Sequence, residues 1–425
     1  MTETNKNGKV IAIVTMCFFF AMISFVTNMA APFGNIWGYT YEWAGMAGHL
    51  MNFLAYLFMG IPAGNMLIKF GYKKTALIAL AVGFIGLGIQ WLSSKVGADV
   101  AVCEIAGQVC SLNLFIYLLG ALVCGFCVCM LNTVVNPMLN LLGGGGNTGN
   151  QLIQAGGTIN SLTGTLTPML VGVLIGTLTK ETTMAEVAPL VIAGMVIFAL
   201  SFIIISFVKI EEPQGDLSNV TYERSPLAFR HCLLGIIAIF FYVGIEIGIP
   251  NEMNMWISRL PFEGAAKVAG SLAAAYWFLM LCGRFLSTII SGKVSTRTQM
   301  VTVSSVAIVL LLCAIFTGNI TISLFGGEVP LSCLFIFLCG LCTSIMWGGI
   351  FNLSTEGLGK YTAKASGLFM AMVVGGGIMP FIQDNVVRPA TGYLGSYWLI
   401  IAMIAYILFY SLWGSKNVNK DIKVD

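Results

Sequence analysis

Apolar runs of about 20 residues recur along almost the whole chain, and each is long enough to cross the hydrocarbon core of a bilayer as one helix. The chain is also 57% hydrophobic and only 9% charged, which excludes a soluble globular protein. We therefore predict an all-α membrane protein. Its twelve transmembrane helices are expected at 10–31, 43–68, 75–93, 113–142, 148–179, 186–208, 229–257, 265–292, 299–318, 331–355, 362–388 and 393–414.

The distribution of basic residues predicts how these helices are oriented. If both termini are cytoplasmic, the inner connections contain most of the lysines and arginines, as the positive-inside rule requires. That arrangement needs an even number of helices. The net charge of +3 then reflects membrane topology, and nothing indicates a nucleic-acid partner.

Amide side chains are concentrated between residues 124 and 168, within predicted membrane helices. A helix surface that faces lipid is expected to have no amides. Three asparagines repeat every four residues and so fall on one stripe, and three more amides follow on the next helix. They are Asn132, Asn136, Asn140, Asn150, Gln154 and Asn160. A buried amide costs about 1–3 kcal/mol unless it is hydrogen-bonded, so the stripe faces a partner inside the bundle. These amides either join helices together or line a wet cavity, and three in register favour a cavity for a polar ligand.

Other candidates for that cavity lie on the first two predicted helices. Asn28 is in the first helix, and His49, Asn52 and Tyr56 share one face of the second at i, i+3 and i+7. A single histidine in a membrane helix is more often a packed, neutral hydrogen-bonding residue than a switch. Beside Asn52 and Tyr56, however, His49 can line the cavity.

Charged residues inside the second half of the chain are few. Glu246 lies in the middle of the predicted seventh helix, where an acid is either a functional group or a structural acid that fixes the helix in place. Asp384 and Arg388 are spaced i, i+4, which predicts a local ion pair. Arg284 is expected near the inner end of the eighth helix, where it either snorkels or pairs with an inner-loop acid such as Glu356.

Most of the twelve cysteines lie in apolar runs, where we predict that they are small hydrophobic residues. Cys124 and Cys127 have CxxC spacing, but no second pair and no histidine accompanies them, so no metal site is predicted. Cys103 and Cys110 lie in the long outer loop 94–112, and we predict that they form a disulfide.

A short basic loop, GNMLIKFGYKKTAL at 64–77, connects the second and third predicted helices. It resembles the signature loop of the major facilitator superfamily, although Ile68 stands where that loop is usually acidic. The ending GYKK is similar to the branch of sugar permeases that contains the fucose:proton symporter and bacterial glucose/galactose permeases. Other stretches similar to that branch are PAG at 62–64, LNTVVNP at 131–137, NS at 160–161, FFYVGIEIGI at 240–249 and SIMWGGIFNLSTEGLGKYTAKASG at 344–367.

An internal repeat indicates the same architecture without reference to a family. GFCVCM at 125–130 leads to Pro168 through an inner loop, and GLCTSIM at 340–346 leads to Pro380 over nearly the same length. Such repeats place the site of a transporter at the interface of two halves, near the membrane midplane. The predicted parts are an N-terminal six-helix half at 1–208, a cytoplasmic linker at 209–228 and a C-terminal six-helix half at 229–425.

Transport and membrane-embedded catalysis are the main functions to weigh, with a sugar sensor as a third. An enzyme needs a nucleophile with a base, or a metal cluster, and the two histidines, His49 and His231, are far apart and lack further ligands. The four glycines at 143–146 lack the lysine and hydroxyl ending of an ATP-binding loop. We therefore predict a transporter without a cofactor, and expect a monomer in the lipid bilayer of a bacterial inner membrane.

Amides and aromatic residues with few charges suit a neutral polyhydroxyl ligand, because hydroxyl groups both donate and accept, as amides do. Tyr276 and Trp347 lie within predicted helices and can stack on the apolar face of a sugar ring. We predict a neutral monosaccharide as substrate. Hexose, deoxyhexose and N-acetylhexosamine all fit this prediction.

The ion coupling of such a transporter is a separate question. In the fucose:proton symporter the matching motifs carry an aspartate and a glutamate, which the resemblance places at Asn28 and Asn132. An amide cannot gain or release a proton near neutral pH. Transport is then either facilitated diffusion or coupled through another titratable group, of which Glu246 is the first candidate and His49 the second. We predict symport with protons, and keep a uniporter and a sodium-linked carrier as alternatives.

Overall fold

Helices make up nearly all of the regular secondary structure. The computed structural model describes residues 3–175, 182–210, 212, 214–215, 217, 220–317, 320–419 and 422–424. Its α-helices are α1 Glu3–Thr40, α2 Ala47–Ser93, α3 Leu112–Leu142, α4 Gly146–Ile175, α5 Ala188–Phe207, α6 Arg230–Ser258, α7 Ala265–Ile290, α8 Thr296–Phe316, α9 Ser332–Thr343, α10 Met346–Ser354, α11 Thr362–Ala371, α12 Gly375–Ile382 and α13 Arg388–Phe409. The predicted end of the fifth membrane helix, at 179, lies outside the described residues.

Nine segments within the described residues are long and apolar enough to cross a membrane. Two of them, Ala47–Ser93 with 47 residues and Gly359–Gly414 with 56, are each more than twice as long as the ~20 residues that one crossing needs. Each of these two segments is interrupted by a glycine with left-handed backbone, Gly71 (φ 78°) and Gly392 (φ 77°). Only glycine adopts this conformation without steric cost, so a turn is built into both segments.

Two β-hairpins were not predicted from the sequence. One connects α2 to α3 and pairs β1 (Ala101–Ile105) with β2 (Gln108–Ser111), and the other connects α8 to α9 and pairs β3 (Thr321–Leu324) with β4 (Gly327–Pro330). Both turn through two residues with positive φ, and the second of the two is a glycine. Their matching form is consistent with the internal repeat.

The first hairpin contains the two loop cysteines. Cys103 of β1 lies opposite Cys110 of β2 in the strand register, as a bridged pair requires. Both are nevertheless free cysteines, one exposed and one buried. The predicted disulfide is therefore wrong for this structure: the thiol of Cys110 is buried and donates to the backbone carbonyl of Gln108 at 3.5 Å, whereas Cys103 is exposed.

The helices form two compact units. The first unit comprises Met1–Met138, Leu162–Thr221 and Ser366–Ala371. The second unit comprises Leu139–Ser161, Tyr222–Ala365 and Met372–Asp425. The division of the chain into sequential halves around 209–228 stays a prediction.

Glycines bring α2 close to α3 and α5 in the first unit. A Cβ atom added at Gly83 would overlap the ring of Phe198 and the thiol of Cys127, and one at Gly86 would overlap Cys124. Both thiols are buried, so these cysteines act as small apolar side chains in a close helix contact.

A carboxylate fixes the turn of α2 at Gly71. The backbone N–H groups of Tyr72 and Lys73, which follow this glycine, donate to the carboxylate oxygens of Glu212 at 2.9 and 3.0 Å. The hydroxyl of Tyr72 also donates to Gln214 at 2.9 Å. An acidic group at the start of a helix pairs with the free N–H groups and is stabilised by the helix dipole. The segment after α5 is thereby attached to this turn.

Candidate functional site

The predicted amide stripe on α3 is buried in the first unit at its first two positions. Asn132 and Asn136 are 6% and 0% exposed. The amide nitrogen of Asn132 donates to the hydroxyl of Tyr56 at 2.6 Å, and that of Asn136 donates to the backbone carbonyl of Asn132 at 2.8 Å. Tyr56 therefore belongs to this polar group, as its shared face with Asn52 suggested.

The other first-unit candidates lie on α1 and α2. Asn28 is half-buried and donates to the backbone carbonyl of Ser24 at 2.8 Å. Asn52 lines a small cavity of about 10 Å³ together with Gln90, and within the described residues the side-chain oxygens of both amides lack a hydrogen-bond partner. A cavity of about 10–15 Å³ accommodates one water molecule, which can satisfy such oxygens. His49 is half-buried.

The third position of the stripe, Asn140, belongs to the second unit. Its amide nitrogen donates to Thr355 Oγ1 at 3.0 Å, and its oxygen accepts from Asn352 at 2.8 Å. Asn352 also accepts from Thr296 at 3.0 Å. The side chain of Asn140 thus connects α3 to the α10 region, as a structural amide does, and it borders a cavity of about 410 Å³.

Arg284 on α7 is the centre of a second buried polar group. Its side chain is 11% exposed and forms an ion pair with Glu246 of α6, in which Arg284 Nη2 lies 3.3 Å from Glu246 Oε1. The same guanidinium donates to the hydroxyl of Ser161 at 2.7 Å and to the backbone carbonyls of Gly157 and Ser344, at 3.3 and 3.1 Å. One arginine thereby connects α6, α7, α4 and the segment between α9 and α10.

Aromatic residues lie beside this ion pair within the second unit. Tyr276 is fully buried, and its hydroxyl lies 2.9 Å from Thr343 Oγ1 and donates to the backbone carbonyl of Glu246 at 3.4 Å. Trp347 is half-buried and meets the ring of Tyr242 edge-on, with ring centroids 6.3 Å apart.

Two predicted amides of α4 complete the second-unit set. Gln154 is 2% exposed and donates to the backbone carbonyl of Ile345 at 3.0 Å. Asn160 is half-buried and precedes Ser161, the hydroxyl partner of Arg284. The second unit therefore contains Gln154, Asn160, Glu246, Tyr276 and Trp347, and the first contains Asn28, His49, Asn52, Asn132 and Asn136.

The structure confirms one predicted ion pair and corrects another. Arg388 Nη2 pairs with Asp384, one turn earlier, as the i, i+4 spacing predicted. The prediction for Arg284 was wrong, because this residue pairs with Glu246 and neither snorkels nor contacts Glu356. The charge of an arginine inside a membrane protein is costly without a partner, and Glu246 is the buried acid within reach.

One buried carboxylate was missed. Glu252 is 1% exposed, and its Oε1 lies 3.5 Å from Arg388 Nε. It lies inside the predicted seventh helix, six residues after Glu246, so its position in an apolar run was an available signal. No group of three or more histidine, cysteine or acidic side chains within the described residues is placed to bind a metal.

Long apolar helices that bury amides and ion pairs define a multi-pass membrane protein. The sequence model of the Major Facilitator Superfamily matches residues 11–381, and the chain belongs to this superfamily.

Similar proteins cover almost the whole chain. A glucose/galactose transporter of Brucella abortus is 28% identical over 98% of this chain and 97% of its own length. An L-fucose-proton symporter of Escherichia coli is 22% identical over 84% of this chain and 81% of its own. The crystal structure of the E. coli fucose:proton symporter matches 96% of this chain and all of its own with a TM-score of 0.81 at 18% identity, which shows a shared fold.

Proposed function

We propose that the protein transports a neutral monosaccharide across the membrane by alternating access, as a symporter with a cation, and that this cation is the proton. The observation that carries the proposal is that the two units contain different kinds of buried polar groups. In the described helices of the first unit, charged residues lie only near helix ends or at the Gly71 turn, and the buried polar groups are amides and hydroxyls. Carboxylate–arginine pairs lie within the helices of the second unit.

The names of similar proteins support a sugar substrate. The relatives in Brucella abortus and E. coli are a glucose/galactose transporter and an L-fucose-proton symporter. Neutral sugars need donors and acceptors without net charge, which asparagine, glutamine and tyrosine side chains supply. Asn132, Asn136, Asn28, His49 and Asn52 are the proposed first-unit contacts. Those of the second unit are Gln154, Asn160, Tyr276 and Trp347.

Twelve membrane crossings are part of the proposal. If the two long segments broken at Gly71 and Gly392 each cross twice, nine candidate spans become eleven, and α4 makes twelve. An even number of crossings agrees with cytoplasmic termini and with basic inner connections. We propose the bacterial inner membrane as its location because the similar proteins come from bacteria.

Coupling is assigned to the second unit because the first unit lacks an acid at the expected positions. Asn28 and Asn132 are amides, so they cannot exchange a proton near neutral pH. Glu246 is the proposed coupling residue, since its ion pair with Arg284 is broken when the carboxylate is protonated. A change at this pair reaches α4 through Ser161 and Gly157.

Proteoliposomes test the proposal in two steps. Radiolabelled D-glucose, D-galactose, L-fucose and N-acetyl-D-glucosamine are first compared in counterflow, which needs sugar binding and alternating access but no ion gradient. An imposed inward proton gradient, with a sodium gradient in parallel, is then applied to the sugar that exchanges. We expect counterflow of at least one sugar and accumulation driven by protons. Binding without counterflow would indicate a sensor, and counterflow without accumulation under either gradient a uniporter.

A further inference from the structure

Glu252 lies on the face of α6 that packs against the segment from α12 to α13. Four positions on α6, spaced four residues apart, contact that segment in turn: Phe240, Gly244, Gly248 and Glu252. At the middle two positions the backbone of α6 lies very close to the segment from α12 to α13. A Cβ at Gly244 would lie 2.5 Å from Met379 Cβ, and one at Gly248 would lie 2.5 Å from Gln383 Oε1.

The partner positions are not evenly spaced. They are Gly375, Met379, Gln383 and Arg388, so the intervals are four, four and five residues. The five-residue step coincides with a π-helical turn at Gln383–Val387. In a continuous α-helix the position facing Glu252 would be residue 387, which is a valine. A π turn adds one residue to the helix and is often found at functional positions. Here it places Arg388 opposite Glu252.

Arg388 is shared unequally between two carboxylates. It contacts Asp384 more closely through Nη2, whereas its Nε lies 3.5 Å from Glu252. The side chains of Arg388 and Asp384 are 20% and 27% exposed, but that of Glu252 is only 2% exposed. With all three groups ionised the cluster has two negative charges and one positive charge. When Glu252 binds one proton, the net charge of the cluster becomes zero and the Arg388–Asp384 pair stays intact.

The other charged and titratable groups around Glu252 do not neutralise it by direct contact. Arg259, at the end of α6, donates to the hydroxyl of Tyr393 at 2.6 Å and acts on Glu252 only through space. Tyr397 of α13 donates to the backbone carbonyl of Ile249 at 2.9 Å. Glu246, by contrast, has its own arginine at 3.3 Å and a second neighbour in the Tyr276 hydroxyl.

From this geometry we infer that Glu252 is a second proton-binding residue of the coupled transport beside Glu246, that coupling needs both acids, and that Glu252 is reached through the partly exposed Arg388–Asp384 pair. The inference rests on the proposed function. A proton adds to a Glu252 carboxylate oxygen, the contact with Arg388 is lost, and release of that proton restores it. The Glu252–Arg388 contact links α6 to the end of the π turn. Protonation of Glu252 therefore decides whether this link between the two elements is present.

Glu252→Gln is the direct test, because glutamine has the shape of a protonated glutamate and cannot titrate. The sugar with the largest counterflow of the four named above serves as probe. We expect counterflow within about twofold of the parent, whereas accumulation under a proton gradient falls to equilibration. The affinity for external sugar, measured between pH 5.5 and 8, should vary in the parent and vary less in the variant, in which only Glu246 is left to bind a proton.

Two further variants separate proton binding from structure. Glu263→Gln alters an exposed acid in the loop after α6 and controls for the loss of a negative charge near this end of the helix. Asp384→Asn removes the other carboxylate of Arg388, so Arg388 can pair with Glu252 alone, and the pH dependence of sugar affinity should shift to lower pH. Accumulation that persists in Glu252→Gln, or that is lost equally in Glu263→Gln, overturns the inference. Counterflow without accumulation in the parent removes proton coupling as a whole and leaves sugar transport standing.

Discussion

The two units differ in the kind of polar group that they bury. In the first unit the amides Asn132 and Asn136 bond to a tyrosine hydroxyl and to backbone, at short distances and without charge. In the second unit two carboxylates whose side chains are at most 15% exposed, Glu246 and Glu252, face arginines at 3.3 and 3.5 Å. A neutral group binds a neutral ligand over a wide pH range, whereas a buried ion pair changes when one proton is added. Under the proposed function, amides of both units take part in sugar recognition, whereas coupling belongs to the carboxylate–arginine pairs of the second unit.

Removal of Arg284 is expected to have the largest effect. Arg284→Gln leaves Glu246 buried without its ion pair, and breaking such a pair costs about 3–5 kcal/mol of stability. Counterflow should be lost because four elements lose their common contact. SDS titration of the purified protein in detergent measures the change in stability. The double variant Arg284→Gln/Glu246→Gln should regain most of the lost stability. A loss equal to the sum of the two single-variant losses would show that the two side chains do not stabilise each other.

Removal of the Asn132 amide is expected to weaken sugar binding and leave coupling unchanged. Asn132→Ala should weaken binding by about 1–3 kcal/mol, the range for a buried hydrogen-bonding partner that is taken from a ligand hydroxyl. Sugar affinity is measured by titration of counterflow. Asn140→Ala is the matched control, since Asn140 bonds to Thr355 and Asn352 and should affect stability rather than affinity. Unchanged affinity in Asn132→Ala would place the stripe outside the site, and equal loss of affinity in both variants would trace the effect to lost stability.

Glu212 provides a smaller test of the first unit, because its carboxylate serves structure and not coupling. Glu212→Ala removes the acceptor for the N–H groups of Tyr72 and Lys73 and should lower stability by about 0.5–2 kcal/mol, as for other helix caps. The accumulation ratio should not change. Reduced proton-driven accumulation at normal counterflow would assign this acid to coupling and blur the distinction between the units.

Local spacing and apolar length predicted much of the fold. The Asp384–Arg388 pair was predicted because both residues lie on one helix, one turn apart. Most apolar runs became helices with ends within a few residues of the prediction, as at α6 and α7. The hairpins were missed because two strands of four or five residues in a loop have no clear periodic signal.

The charged site was harder to predict because its contacts join residues far apart in the sequence. Arg284 and Glu246 are 38 residues apart on different helices, and nothing local connects them. The contact of Glu252 with Arg388 depends in addition on a π turn, which shifts the register by one residue. The amides were recognised because they repeat every four residues on one helix, but their partners, such as Tyr56 and Thr355, are set by packing.

The most direct test of the division between recognition and coupling is the ratio of proton-driven accumulation to counterflow, measured in one set of proteoliposomes for the parent, Asn132→Ala and Glu246→Gln. We expect Asn132→Ala to need more sugar for half-maximal counterflow while its ratio at saturating sugar stays that of the parent. Glu246→Gln should keep counterflow but lose accumulation, so that its ratio falls to that of simple equilibration. A parallel fall of counterflow and accumulation in both variants, with the ratio unchanged, would contradict the division.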